Sequence, residues 1–195
     1  METYNTQLKV GDKISSFNAV ATTRKIGFPS DFKGQWIAII TNPVEIFDTE
    51  EEKKCFLQLA ESLEKKNCQL IGLSTSGMSN DLKWQRGLKG LTNDATLSAI
   101  LEDLPIINDS VLTVARQCGM INSANEQMPI SSLYLIDPDS VVRSISNYIQ
   151  ADSSLPTDSA ERLQQIQMER LNGRLTQHRH TVTEQTNNEI CCWYF

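Results

Sequence analysis

The stretch WIAIIT at residues 36–41, followed by Asn42 and Pro43, decides the fold. Its first five residues form an unbroken apolar run. An unbroken apolar run of this length, with polar residues on both sides, is typical of a strand that is buried on both faces of a sheet. Residues 69–74 (QLIGLS) have the same character, so we expect a second central strand there.

Two shorter runs lie either side of a turn sequence. Residues 133–136 (LYLI) and 141–148 are rich in Val, Ile, Leu and Tyr, and the four residues between them are Asp-Pro-Asp-Ser. Asp and Pro favour tight turns because of their side-chain hydrogen bonds and fixed φ. The pattern therefore predicts a β-hairpin, and a further strand is predicted at residues 17–20.

Amphipathic stretches separate these strands. Apolar residues recur at helical spacing in residues 50–67, 79–89, 111–118 and 158–171, and Gly173 follows the last of these as an expected stop signal. Strands that alternate with helices indicate an α/β fold, in which helices flank a central mixed sheet. We expect one domain at residues 1–172 and a polar C-terminal arm at 173–195.

Composition narrows the functional classes. The chain has 195 residues and a net charge of −6, which argues against nucleic acid as a partner. The longest apolar run is far too short to span a bilayer, so we expect no membrane insertion. The first ten residues lack the apolar run of a signal peptide and the five cysteines are odd in number, so we expect a cytoplasmic protein with reduced thiols.

Six short motifs resemble the peroxiredoxin family, closest to its one-cysteine, alkyl hydroperoxide reductase-like branch. They occur in family order and cover roughly residues 8–170; they are Val10-Gly11-Asp12, residues 28–34 (FPSDFKG), Asn42-Pro43, residues 69–74, residues 105–109 (PIIND) and Ile136-Asp137-Pro138. The resemblance implies a thioredoxin-like sandwich with a central mixed sheet. It also implies thiol-based reduction of peroxides, a reaction that requires the family's catalytic residues.

The catalytic pattern that the resemblance implies is not intact. The family carries P-x-x-x-T-x-x-C, in which the helix N-terminus stabilises the cysteine thiolate. Counted from Pro43, the threonine position is Phe47 and the cysteine position is Glu50; counted back from Glu52, the cysteine position is Thr49. The family arginine position is Ser131. We therefore assign no catalytic residue, and expect a vestigial pocket formed by Pro43, Phe47, Thr49, Glu50 and Ser131.

The residues at the predicted helix start have a stability role of their own. Thr49 with Glu52 three residues later matches a capping box, and carboxylates at positions 50–52 suit the positive end of a helix dipole. The simplest interpretation is a helix start adapted for stability after the nucleophile was lost. The alternative interpretation makes Glu50 a new acid or base.

The cysteines leave a second alternative open. Cys55 is either a core residue or a relocated nucleophile, while Cys68 and Cys118 are interpreted as structural. Cys191 and Cys192 precede Trp193-Tyr194-Phe195 at the end of the arm. They either help to anchor the arm in a groove or exchange with other disulfides, and Cys192 also begins a poor match to a C-a-a-X prenylation box.

His178 and His180 could be combined with Cys191 and Cys192 into a metal site, but their spacing lacks the ligand pairs of structural zinc sites. We therefore expect neither a metal nor a cofactor. The resulting hypothesis is a peroxiredoxin-like binding or regulatory protein, forming a homodimer or engaging a protein partner through its arm. The alternative is a thiol-dependent peroxidase or oxidoreductase in antioxidant defence that uses Cys55 or the Cys191/Cys192 pair.

Overall fold

A computed structural model describes residues 7–122, 125–148 and 155–190, with the side chains of residues 7–121, 128–148 and 155–173. Within these residues the strands are β1 (Phe17–Val20), β2 (Lys25–Phe28), β3 (Trp36–Thr41), β4 (Cys68–Ser74), β5 (Ile106–Asn108), β6 (Ile121–Asn122), β7 (Asn125–Pro129), β8 (Ser132–Ile136) and β9 (Val142–Asn147). The α-helices are α1 (Pro43–Ile46), α2 (Glu50–Glu64), α3 (Met78–Lys89), α4 (Ala95–Asp103), α5 (Thr113–Gln117) and α6 (Leu155–Ile190).

The central sheet has the strand order β5-β4-β3-β8-β9. Strand β3 is parallel to β4 and antiparallel to β8, so the sheet is mixed. Along β3, Ile37 and Ile39 belong to the main core cluster, while the alternate residues Ala38 and Ile40 are equally inaccessible to solvent. The prediction of a central strand buried on both faces is confirmed, as is the α/β class.

The predicted hairpin is formed by β8 and β9, which pair antiparallel. Its turn is held by Asp137, whose Oδ1 accepts hydrogen bonds from the backbone N–H groups of Asp139 and Val141 at 2.8 and 3.0 Å. The guanidinium of Arg143 binds the other carboxylate oxygen at 2.8 Å. The predicted hairpin is therefore confirmed, and a side-chain hydrogen bond of the kind expected from the Asp-Pro-Asp-Ser sequence stabilises its turn.

Three helices differ from expectation, and one of them is the short α1, which the sequence pattern does not predict. Helix α4 was not predicted, although Asp94 caps it by accepting a hydrogen bond from the N–H of Leu97 at 2.8 Å. Helix α6 does not end near residue 171 but continues to Ile190. Gly173 lies inside it, so the glycine is a helix-interior residue there and the stop signal was misread.

Contacts divide the chain into two compact units, residues 1–160 and 161–195. The first unit contains the sheet, helices α1–α5 and the start of α6. The second unit contains the rest of α6. Among the described helices, none combines the length and the apolar character that a membrane crossing requires.

Candidate functional site

The chain turns sharply where β3 ends. Asn42 adopts a left-handed conformation with φ 56° and leads directly into Pro43, the first residue of α1. The ring of Pro43 lies against β4, because a Cβ on Gly72 would come within 3.3 Å of Pro43 Cγ. This close packing holds the start of α1 over the carboxyl end of the parallel strands, the edge where sites of α/β proteins form.

Ser131 lies at this same edge, although it is 89 residues from Asn42 in sequence. The Asn42 side-chain amide donates hydrogen bonds to Ser131 Oγ and to the carbonyl of Pro129, both at 3.0 Å. Asn42 Oδ1 is buried and has no hydrogen-bond partner within the described part of the chain. The structure therefore brings Pro43 and Ser131 together around Asn42, and the position expected for an arginine carries only a small hydroxyl.

Phe47 is the C-cap residue that follows α1, and it is fully buried. Its ring packs against Phe56 at 5.2 Å and Tyr148 at 6.3 Å between centroids, and Phe56 in turn contacts Trp84 at 4.9 Å. The Trp84 indole also donates a 2.7 Å hydrogen bond to the Phe47 carbonyl. We call these four residues the aromatic plug. Within the plug, Phe47 stands at the position where the resemblance implies a peroxide-binding hydroxyl, and it carries an apolar ring instead.

The start of α2 forms the predicted capping box. Thr49 Oγ1 accepts a hydrogen bond from the Glu52 N–H at 3.3 Å, and Glu52 Oε2 accepts one from the Thr49 N–H at 2.9 Å. The Thr49 N–H lowers the pKa of Glu52. The N–H groups of Thr49 and Glu52, at this helix start, thus already have oxygen partners.

Glu50 is exposed at the first position of α2 and pairs with Lys54 at 2.7 Å. The hydrogen bond and charge of Lys54 lower the pKa of Glu50, so the carboxyl group is ionised at neutral pH. A general acid or base is most effective when its pKa lies near the working pH. The geometry therefore supports the capping and ion-pair role of this helix start over a new acid–base role.

The described cysteines are all buried. Cys55 lies in the second turn of α2, Cys68 begins β4 and Cys118 follows α5. Burial raises the pKa of Cys118 to about 12 and raises that of Cys68 further above the ordinary thiol value. Neither of these two thiols can supply an appreciable thiolate fraction at neutral pH.

The C-terminal part of the hypothesis lies outside the described residues. This applies to Cys191 and Cys192, and to the side chains of His178 and His180, so the structure gives no information about anchoring, disulfide exchange or metal binding there. Within the side chains that the structure does describe, no group of three or more His, Cys, Asp or Glu residues could hold a metal ion.

Sequence reasoning missed a polar cluster where β4 ends. Asp81 of α3 is fully buried, and its Oδ1 accepts a 2.6 Å hydrogen bond from Ser74 Oγ. Ser74 also accepts from the Ser76 N–H at 3.1 Å, and Ser76 Oγ donates to Glu45 of α1 at 2.5 Å. Asp81 Oδ2 has no hydrogen-bond partner within the described residues. Residues 74–81 (STSGMSND) are almost all small or polar, and although a helix is expected from residue 79, no sequence signal marks Asp81 as a buried residue of that helix.

The electrostatics of this cluster are set by burial. Loss of hydration is the main cause that raises the pKa of Asp81 to about 6; the Ser74 hydrogen bond opposes it, and the negative charge of Glu45 adds to it. An ionised carboxylate with one unpartnered oxygen is unfavourable in such a position. Asp81 is therefore the described carboxyl group at this edge whose protonation changes near neutral pH.

Residues 10–145 match the AhpC/TSA family. Among curated relatives, the chain is 28% identical to a peroxiredoxin of Methanosarcina mazei over 73% of its own length and 66% of the relative's. It is 30% identical to a peroxiredoxin of Aquifex aeolicus over 72% of its own length and 61% of the relative's. The matched part of this chain thus spans under two thirds of the length of these relatives.

Solved structures show the same fold. The yeast mitochondrial 1-Cys peroxiredoxin aligns with a TM-score of 0.63 and 24% identity, covering 86% of this chain and 79% of that one. The mitochondrial 2-Cys peroxiredoxin of Plasmodium falciparum aligns with a TM-score of 0.65 and 16% identity, covering 85% and 98%. The mixed sheet flanked by helices is therefore the thioredoxin-like sandwich, and the chain belongs to the AhpC/TSA family of peroxiredoxins.

Proposed function

We propose that this chain is a peroxiredoxin-like protein without thiol peroxidase activity, acting as a binding or regulatory homologue. The observation that carries the proposal is the fully buried ring of Phe47 beside a helix start, Thr49 and Glu50, that has no cysteine. Peroxide reduction needs a thiolate that can attack a peroxide oxygen. Here an apolar ring fills the adjoining position, and no thiol stands at either residue.

Electrostatics at the same place support the proposal. Glu50, Glu51 and Glu52 put three carboxylates in the first turn of α2. They interact favourably with the positive end of the helix dipole, but they would repel a second anion there. A thiolate, or the negative charge that develops on peroxide oxygen, would be destabilised at this helix start.

A peroxide-consumption assay tests the proposal. The full chain is supplied with hydrogen peroxide and dithiothreitol, and an active peroxiredoxin such as that of Methanosarcina mazei serves as the positive control. We expect consumption at the rate of protein-free buffer. Turnover comparable to the control, abolished by a single Cys→Ser substitution, would overturn the proposal and identify the thiol responsible.

The alternative function, a thiol peroxidase or oxidoreductase that uses Cys55 or the Cys191/Cys192 pair, predicts a different chemical outcome. One thiol would be converted to sulfenic acid by mild peroxide much faster than the rest. Dimedone trapping followed by mass spectrometry of the full chain distinguishes the two functions. Equal and slow labelling of all five cysteines supports the binding role.

The proposal includes assembly and location. We propose a homodimer in the cytoplasm, in which residues 1–172 form the folded domain and the arm at 173–195 engages a protein partner. The position of β9 at the edge of the central sheet supports self-association, since edge strands present backbone groups for pairing. Sedimentation equilibrium tests the dimer; a monomer at micromolar concentration would contradict it.

A further inference from the structure

A groove opens where α2 ends, between α2, β4 and α4. Its volume is about 240 Å³, and the residues that line it include Ala60, Glu64, Leu70, Ile100, Asp103 and Leu104. Helix α2 has fifteen residues and is therefore about 22 Å long. The groove and the vestigial site thus lie at opposite ends of this helix, and the groove plays no part in the chemistry discussed above.

The floor of the groove is apolar. Ala60, Leu70 and Leu104 line it, and each is at most 3% exposed. Sites for small-molecule ligands usually enclose roughly 300–1,000 Å³. The volume here is below that range, so the groove suits one inserted side chain better than a cofactor or a drug-sized metabolite.

The rims of the groove are negatively charged. Glu64 is the last residue of α2 and Asp103 is the last residue of α4, and neither helix has a basic residue in its last turn. Helix carboxyl ends carry partial negative charge, which adds to that of Asp103 at the end of α4. At the end of α2 the C-cap residue Lys65 partly offsets it.

The neighbouring carboxylates are already paired. Glu61 binds Lys65 at 2.7 Å and Glu102 binds Lys89 at 4.0 Å. Within the described residues, by contrast, Glu64 and Asp103 form no ion pair. Both residues line the groove beside its apolar floor, an arrangement that is complementary to a cation carried on an aliphatic stem.

We infer that this groove binds an arginine side chain, presented beside an aliphatic residue by a partner protein. The methylene stem of arginine can cover the apolar floor, while its planar guanidinium has enough donors to reach both Glu64 and Asp103. The net charge of −6 would also attract a basic partner segment. The inference goes beyond the proposed function, because this binding does not depend on whether the chain reduces peroxide.

A peptide titration tests the inference. The ¹⁵N-labelled full chain is titrated with acetyl-Leu-Arg-Leu-amide and, separately, with the same peptide carrying citrulline, the neutral analogue of arginine. We expect amide shifts concentrated at the groove residues, and binding about fivefold weaker for the citrulline peptide, the upper range for an exposed ion pair. Equal affinity of the two peptides, or no shifts in the groove, would overturn the inference.

Matched variants locate the interaction. The double substitution Glu64→Gln and Asp103→Asn should reduce the affinity for the arginine peptide to the citrulline level. The control is Glu102→Gln, which changes the neighbouring residue on α4 but does not line this groove. The control should retain full affinity; an equal loss in both variants would show that general charge, and not the groove, attracts the peptide.

Two further measurements exclude other occupants. Spermidine that displaces the peptide at equal concentration would assign the groove to free polyamines. Self-association of the chain that is lost in E64Q/D103N but kept in E102Q would assign it to a second copy. Either result would overturn the inference of a separate partner protein, whereas the absence of both, with selective arginine binding, supports it.

Discussion

The start of α2 and the end of β4 both bring carboxylates to the same edge of the sheet, but they treat them in opposite ways. At the start of α2, Glu52 accepts backbone hydrogen bonds and Glu50 pairs with Lys54 in the open solvent. At the end of β4, Asp81 is fully buried with one oxygen unpartnered. The start of α2 is therefore arranged for stability, whereas the end of β4 retains an unfavourable charge at neutral pH.

The largest expected effect comes from the aromatic plug beside the stable region. Phe47→Ala removes a buried ring and leaves a cavity, so we expect a loss of about 3–5 kcal/mol in the free energy of unfolding. Urea denaturation followed by tryptophan fluorescence measures it. The control Val111→Ala changes an exposed side chain and should have little effect. A loss below about 1 kcal/mol for Phe47→Ala would show that the ring is poorly packed.

The buried carboxyl group should respond to pH. The pKa of Asp81 is about 6 in the folded state and about 3.9 in the unfolded state. The contribution of its protonated form to the free energy of unfolding is therefore fully present below pH ~4 and is lost as the pH rises through ~6. Asp81→Asn removes this loss while keeping an acceptor for Ser74. We expect the variant to be more stable than wild type at pH 8, by at most about 3 kcal/mol, and to gain far less at pH 4.

Urea denaturation at both pH values tests this expectation. The matched control is Asp48→Asn, an exposed aspartate next to the start of α2, which should change stability by less than about 0.5 kcal/mol at either pH. A pH-independent effect of Asp81→Asn would mean that the carboxyl group is not protonated in this range, and the contrast between the two regions would then be weaker.

The capping box should have a smaller effect. Thr49→Ala removes the hydroxyl that accepts from the Glu52 N–H, and we expect a loss of about 1 kcal/mol. Thr49→Ser keeps an accepting hydroxyl and should cost far less. Thermal or urea unfolding measures both, and equal losses in the two variants would show that the methyl group, not the hydroxyl, matters at this position.

The smallest effect is expected for a grafted thiol. Glu50→Cys places a cysteine at the first position of α2, but Glu51 and Glu52 remain beside it. We expect its pKa to stay close to the ordinary value of about 8.5, since the carboxylates offset the helix dipole. Ultraviolet absorbance of the thiolate against pH measures it. A pKa far below that value would contradict the electrostatic argument, and E50C/E51Q should show a lower pKa than E50C alone.

Local chemistry made part of the fold predictable. The Asp-Pro-Asp-Ser turn and the Thr49–Glu52 capping box depend on residues a few positions apart, and both are present as read from the sequence. The placement of Ser131 beside Asn42 was accessible only through the family resemblance, because 89 residues separate the two. The periodic pattern of apolar residues cannot show that two positions so far apart in sequence lie side by side.

The errors have equally physical causes. Gly173 was read as a helix stop, but a glycine ends a helix only when the chain turns there, and α6 continues past it. Asp81 was overlooked because burial is a property of the neighbours and not of the residue. The polar residues 74–81 give no indication that α3 turns the Asp81 carboxyl group inward, towards Ser74 at the end of β4.

The position of Phe47 constrains how this chain could regain the chemistry of its relatives. On the proposed function, a cysteine restored at residue 49 or 50 would still lack the adjoining hydroxyl, because the ring occupies that position and contacts Phe56 and Tyr148. Replacing the ring first would leave a cavity with no catalytic benefit. Restoring the cysteine and replacing Phe47 would each bring no catalytic gain without the other. Phe47 therefore makes the loss of the thiol difficult to reverse by single substitutions.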